Sequence, residues 1–202
     1  MPSRRLLFAA PVAPLFFPAR RAAAAISAPV ALEVPYLRQE PNLCVPISAA
    51  MILAFYGDPQ PPRRLKRLAM GKPYDPKAPF SDFSITLYRD LIKGMGRVGY
   101  AWAERTYPDT PAGAAAGLRD IEAELRAGRP VMVDVSLPGI GHTFVVRGFD
   151  PFRRTLLIVD PSAPAPGRRT LGYDAFARVW NEHAYGGRFR ALIVTRRKPG
   201  VG

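Results

Sequence analysis

One cysteine and two histidines set the limits of the chemistry this 202-residue chain can perform. Cys44 follows the segment Val34-Pro35-Tyr36-Leu37-Arg38-Gln39 by four residues and opens the run Cys44-Val45-Pro46-Ile47-Ser48 that continues to Phe55-Tyr56-Gly57. An extended segment carrying a glutamine thus runs into a helix whose first residue is the lone thiol. A helix N-terminus presents unpaired N–H groups and a partial positive charge, which favour thiolate over thiol. Gln39, five positions earlier, can bring its side-chain amide above Cys44. With the Cys44 backbone N–H it would form a two-donor oxyanion hole. A thiol and an amide donor, joined by an imidazole and a carboxylate, are the parts of a cysteine acyl-transfer site.

The imidazole expected to serve the thiol is His142. It follows Gly141 at the start of a strand and precedes Thr143 and the apolar run Phe144-Val145-Val146. The hairpin that follows decides which acid can reach it. Strands 142–149 and 155–160 are joined by Asp150-Pro151-Phe152-Arg153-Arg154. If 149 faces 155, His142 faces position 162 and Asp160 is its diagonal neighbour on the same side of the sheet. Asp150 lies eight residues along the strand from His142, about 26 Å at roughly 3.3 Å per residue, and reads as a turn residue. Asp160 is therefore the expected partner, on the condition that the register does not slip by one. Asp134, on another strand, reads as a solvent-facing or structural acid. His183 reads as a surface residue with no paired acid. One cysteine and two dispersed histidines offer no metal-ligand cluster, and no cofactor is expected.

Several elements must hold these residues. A core helix spans about Cys44 to Tyr56, with Pro46 in its first turn and one apolar stripe of Ile47, Ala50, Met51, Ala54 and Phe55. Residues 58–80, rich in proline and basic residues, form a connection with a short helix near Arg63–Met70. Ser84 to Gly94 reads as a helix, with Gly94, Gly96 and Gly99 punctuating the turn after it, and a short strand follows near Ala101–Thr106. Asp109-Thr110-Pro111 starts a further helix that Gly128 and Pro130 stop. Strands then dominate: Val131–Leu137, His142–Phe149, Thr155–Asp160 and Phe189–Thr195. Helices first and an antiparallel sheet afterwards predict an α+β fold.

At these residues the chain resembles the C39-like cysteine peptidases of the papain-like superfamily. The family pattern of Val-Pro-Tyr-x-x-Gln, four residues, Cys-Gly-Pro and a small- and Met-rich helix ending in Tyr-Tyr-Gly stands here as Val34-Pro35-Tyr36, Gln39, Cys44-Val45-Pro46 and Phe55-Tyr56-Gly57. Ala127-Gly128-Arg129-Pro130-Val131, Gly141-His142, Gly148-Phe149-Asp150, Asp160-Pro161 and Tyr173-Asp174-Ala175-Phe176 with Trp180 continue the likeness in order, over roughly residues 32–196. The resemblance implies a papain-like fold with Cys44 as nucleophile, His142 as general base and acid, Asp160 as orienting acid and Gln39 as oxyanion donor. The expected substrate is a peptide or protein, hydrolysed through a thioester. The departure is Val45, where the family usually has glycine, placing a β-branched side chain beside the thiol. Two rivals use the same framework: transfer of the acyl group to an amine instead of water, and a catalytically silent module that binds peptides. No ATPase or membrane domain is present in the sequence, so the leader-trimming role of exporter-fused family members does not carry over.

At 48% hydrophobic and 22% charged residues, the chain has the composition of one domain with a full core. That domain is expected over residues 29–198. Residues 1–28 read as an export leader: Ser3-Arg4-Arg5 is a basic start, Leu6–Phe17 a twelve-residue apolar run, and Ala22–Ala25 a small-residue segment suited to cleavage. Ser3-Arg4-Arg5-Leu6-Leu7-Phe8 resembles the twin-arginine motif, which points to a periplasmic or extracellular location. The apolar run is too short for a stable membrane span. The net charge is +13, of which the four arginines of residues 1–28 supply four, leaving +9. The arginine pairs are not interleaved with aromatics along one face, so no nucleic-acid partner is expected, and attraction to anionic surfaces would be a side effect. No sequence feature specifies an oligomeric state. If the leader reading is right, N-terminal sequencing of protein from its native host will find the first 25 to 28 residues removed. Intact Met1 in soluble cytosolic protein would overturn it.

Overall fold

The computed structural model describes residues 28–200. The expected leader falls on residues outside this range, apart from its last position. The elements in chain order are β1 (Val30–Ala31), α1 (Cys44–Phe55), α2 (Pro62–Ala69), α3 (Tyr88–Arg97), β2 (Ala103–Pro108), α4 (Pro111–Arg126), β3 (Val131–Leu137), β4 (Ile140–Asp150), β5 (Thr155–Val159), β6 (Arg168–Gly172), α5 (Tyr173–Val179), a 3₁₀ turn (His183–Tyr185) and β7 (Phe189–Val194). The strands form one antiparallel sheet in the order β2-β7-β3-β4-β5-β6, with β1 pairing the far end of β4. Helices cover both faces. Alternation along the central strands divides the core: Met132, Val145 and Ile193 pack with α1, α2 and α3, while Val131, Val133 and Val135 pack with α4, α5 and Trp180. This is the expected α+β arrangement.

The local signals explain several boundaries. Thr110 caps α4 by accepting a hydrogen bond from the Gly113 N–H at 3.1 Å, and Pro111 occupies the first turn. In α1 the expected single apolar stripe is instead burial on every side: each residue from Val45 to Leu53 is buried. A helix that is apolar all round belongs inside a core. The thiol at its tip is consequently anchored by the most enclosed element of the protein.

The helix expected over Ser84–Gly94 begins at Tyr88 and runs on to Arg97. The buried ammonium of Lys66 explains the late start. Its Nζ donates to the carbonyls of Ser84 at 2.6 Å and Ile85 at 3.2 Å, and to the Ser84 hydroxyl at 2.9 Å. Those carbonyls are engaged elsewhere, so residues 84–87 stay extended along α2. The late end places Gly94 inside α3 rather than in a turn. A Cβ there would come within 2.8 Å of the backbone of Leu68 and Ala69, so glycine is what lets α2 and α3 touch. Gly94→Ala should therefore wedge the two helices apart and cost about 1–3 kcal/mol, the scale of core overpacking. Urea unfolding monitored by circular dichroism checks this, and an unchanged midpoint would show that the contact can yield.

The β4–β5 hairpin holds a register correction. Asp150 faces Thr155 and Phe149 faces Leu156, one residue away from the expected pairing. A bulge between Val146 and Gly148 then absorbs one residue, so that Val146 faces Ile158 and Val145 faces Val159, as the expected register requires. The core records the same shift: Phe144, Val146 and Phe149 share one cluster, with a step of three where a regular strand would have two. Beyond the bulge, His142 and Asp160 have the same parity after all.

Candidate active site

Three segments converge at the tip of α1. The first is residues 32–43, which run along the hairpin: Leu32 N–H donates to the Arg147 carbonyl at 2.8 Å, and Gln39 N–H donates to the Pro161 carbonyl at 2.8 Å. The Tyr36 hydroxyl donates to the Ala163 carbonyl at 2.7 Å. Tyr36 and Gln39 therefore fasten onto the same turn that carries Asp160. Asn42 then turns the chain with a left-handed φ of 57°, a conformation asparagine tolerates better than most residues, and Leu43 is completely buried. These two residues aim the first turn of α1.

The second segment is the start of β4. His142 is buried and pairs across the sheet with Val135. Its Nε2 lies 2.8 Å from Asp160 Oδ1, and the Phe144 ring is 6.2 Å from its own. The Cys44 sulfur is near enough to the imidazole to favour its protonated form. With Nε2 held by the carboxylate, Nδ1 is the ring nitrogen left to the thiol. One turn into α1, the Ser48 hydroxyl donates to the Thr143 carbonyl at 3.3 Å, joining the helix to the residue next to His142. Gly141 is required for another reason: a Cβ there would meet the Tyr185 ring at 2.2 Å.

The third segment, the turn after β5, holds the acid. Asp160 Oδ1 accepts hydrogen bonds from the Ser162 N–H at 2.9 Å and the Ser162 hydroxyl at 2.7 Å, and Oδ2 accepts from Arg169 at 3.0 Å. Burial alone would raise the Asp160 pKa; the bonds from His142 and Ser162 outweigh it and hold the carboxyl well below its usual range. Burial likewise opposes the charged imidazole. The Asp160 hydrogen bond and the Cys44 sulfur reverse that, raising His142 to about 9. Among the described residues, no group of three or more His, Cys, Asp or Glu is placed to hold a metal ion.

A cavity of about 510 Å³ opens beside Cys44, with the buried His142 and Asp160 behind its lining. Gln39, Cys44 and Val45 form part of its wall, and Ile85 and Ile140, both largely exposed, stand on its lining. Val45 is itself 97% buried, so its side chain packs into the core while bordering the cavity beside the thiol. The structure thus brings Gln39, Cys44, His142 and Asp160 to one place. His183 is exposed, as expected, but it lies on the cavity wall and does have an acid, with Nε2 2.6 Å from Asp109 Oδ2. Of the two readings of Asp134, solvent-facing or structural, the first is excluded: it is buried and accepts from the Thr143 hydroxyl. Ser162 and Arg169 were missed. The sequence Asp160-Pro161-Ser162 carried a signal for the first, since an Asp two residues before an N–H favours this side-chain turn. Arg169 comes from the unexpected strand β6 and had no local signal.

The pair has a definite pH signature. A raised His142 pKa stabilises the fold fully below its ordinary 6.5, and that contribution is lost as pH rises through about 9. A depressed Asp160 pKa contributes above its ordinary 3.8 and is lost in acid. The stability difference between the wild type and Asp160→Asn should therefore be largest near pH 5–6 and shrink towards pH 9.5. Urea unfolding across this range tests it; a difference independent of pH would mean that His142 gains nothing from the carboxylate.

The geometry can be set beside known proteins. A sequence profile of the Peptidase_C39 like family matches residues 31–187. Among solved structures, the chain is similar to the peptidase domain of Streptococcus ComA, a bi-functional ABC transporter involved in quorum sensing, with a TM-score of 0.55 and 16% identity over 82% of this chain and 99% of that one. It is also similar to a double glycine motif protease from an AMS/PCAT transporter, solved with its leader peptide, with a TM-score of 0.51 and 17% identity over 84% and 98% of the two chains. No curated protein sequence matches. The shared architecture is the papain-like α+β fold, and with the profile covering most of its length the chain belongs to the C39-like family of cysteine peptidases.

Proposed function

We propose that this protein hydrolyses peptide or amide bonds through a thioester on Cys44. The observation that carries the reading is the buried His142–Asp160 contact at 2.8 Å, with the Cys44 sulfur near enough to act on the same ring. In this mechanism His142 takes the thiol proton and the resulting imidazolium is steadied by Asp160. The thiolate attacks the substrate carbonyl carbon, and the negative oxygen is held by the Gln39 amide and the Cys44 N–H, which stands in the helix turn that has no acceptor of its own. The imidazolium then gives its proton to the departing amine nitrogen as the C–N bond breaks. Water attacks the thioester with His142 as base, the C–S bond breaks, and the carboxylic product leaves. Asp160 keeps its negative charge throughout and orients the ring. The exposed Ile85 and Ile140 at the cavity suit apolar side chains of an extended peptide.

An epoxide or vinyl-sulfone thiol probe followed by peptide mapping should label Cys44 and fail on Cys44→Ala. Asp160→Asn should keep more activity than Cys44→Ala, since it removes orientation and not the nucleophile. Gln39→Ala should lower turnover roughly 10²–10³-fold, the scale of one oxyanion donor, while alkylation of Cys44 by iodoacetamide stays nearly unchanged because no oxyanion forms in that reaction. Equal losses in both assays would assign Gln39 to folding rather than to the oxyanion.

A further inference from the structure

A second recess, of about 390 Å³, adjoins the active-site cavity, and Thr86 and Tyr185 line both. Its acids come from three elements: Glu104 of β2 at the exposed rim, Asp134 of β3, and Glu182 just before the 3₁₀ turn. Asp134 projects from the sheet on the α3 side, because it alternates with Val133 and Val135, which face α4 and α5. There it meets Tyr88 and Glu182. Asp134 and Glu182 are 93% and 92% buried.

Two features make this recess unusual. In a chain with 29 basic and 16 acidic residues, neither Asp134 nor Glu182 has a lysine or arginine within ion-pair distance among the described residues. Arg89 stands on the lining, and its nearest carboxylate is Asp90 at 4.0 Å. Two buried polar atoms here also have no hydrogen-bond partner among the described residues: Thr86 Oγ1 and Glu182 Oε1. Such atoms are costly unless something outside the chain pairs with them. Burial and mutual repulsion push both carboxyls upward, so the pair favours holding a proton. Thr143 donates to Asp134, and Tyr88 and Glu182 also act on that carboxylate, which leaves Glu182 Oε1 as the oxygen in need of a donor.

We propose that this recess is the subsite for a cationic side chain, lysine or arginine, near the scissile bond of the peptide substrate. This rests on the peptidase reading for its substrate, but not for its chemistry. A guanidinium or ammonium carries several N–H donors and no acceptor, which matches Glu182 Oε1, the Asp134 carboxylate and the unpaired Thr86 hydroxyl oxygen. The shared walls Thr86 and Tyr185 place that side chain within one substrate's reach of Cys44, which lines the adjoining cavity. The carboxyls do not converge with a third ligand for a metal ion, so an organic cation is the better occupant.

Two measurements test this. In an NMR titration, wild-type protein should bind butylguanidinium at least roughly 10-fold more tightly than neutral pentanamide, the scale of one charged hydrogen bond. No preference would overturn the inference whether or not the protein cleaves peptides. In matched peptides carrying arginine or its neutral isostere citrulline, arginine should raise kcat/KM roughly 10- to 100-fold, and Glu182→Gln should shrink that ratio to a few-fold. An equal ratio in wild type and Glu182→Gln would also overturn it. If butylguanidinium binds selectively and no peptide is hydrolysed, the cation subsite stands and the peptidase activity is what fails. The wild-type comparisons need no variant, so a misfolded Glu182→Gln cannot stand in for an answer.

Discussion

The arrangement depends on keeping one carboxylate charged inside the protein. Asp160 is almost completely buried, and a lone buried carboxylate would take up a proton rather than stay ionised. Four donors prevent this: the His142 ring, the Ser162 N–H and hydroxyl, and the Arg169 guanidinium. They come from three different parts of the fold, namely β4, the turn after β5, and β6. The carboxylate therefore acts as a junction that is satisfied only when all three are in place. In return its charge raises His142, so the imidazole can hold a proton beside a thiol while buried.

That junction needs the right parity, and parity is decided several residues away. The hairpin turn closes with Asp150 opposite Thr155, its side chain accepting from the Phe152 and Arg153 N–H groups. Carried along the strand without interruption, this pairing would put Asp160 on the opposite side of the sheet from His142. The bulge at Arg147 removes the mismatch. On the other edge of the strand the Arg147 carbonyl accepts from Leu32, continuing the β1 pairing into the segment that carries Tyr36 and Gln39.

The two cavities at this end of the sheet differ in how their charges are met. Around His142 every charge has an internal partner, as a site requires if its groups must stay fixed while bonds change. In the neighbouring recess, Asp134 and Glu182 lie near each other with a hydroxyl donor but no counter-ion among the described residues, and Thr86 Oγ1 and Glu182 Oε1 are left over. On the proposal above, these are the groups a cationic substrate side chain would meet. The extended 84–87 segment, held by Lys66, forms a wall common to both.

Much was legible in the residues alone. Pro46 and the apolar run after Cys44 specify a helix that starts at the thiol, and Thr110-Pro111 and Gly128 bracket α4, because capping and turn chemistry act over a few residues. Apolar runs between turn residues marked β3, β4, β5 and β7 for the same reason. The pairing of His142 with Asp160 followed from counting across a hairpin, yet the count held only because the bulge cancelled the slip at the turn. No local pattern announced that bulge. Likewise, nothing near Ser84 signalled that an ammonium eighteen residues earlier would occupy its carbonyl and delay α3. Asp134 looked like any alternating polar position on a strand, and only the packing of α3 and the 182–185 turn over that face made it a buried acid beside the active site. Local sequence sets which elements form; burial, register shifts and long-range hydrogen bonds arise only when those elements meet, and they decided which polar groups face one another.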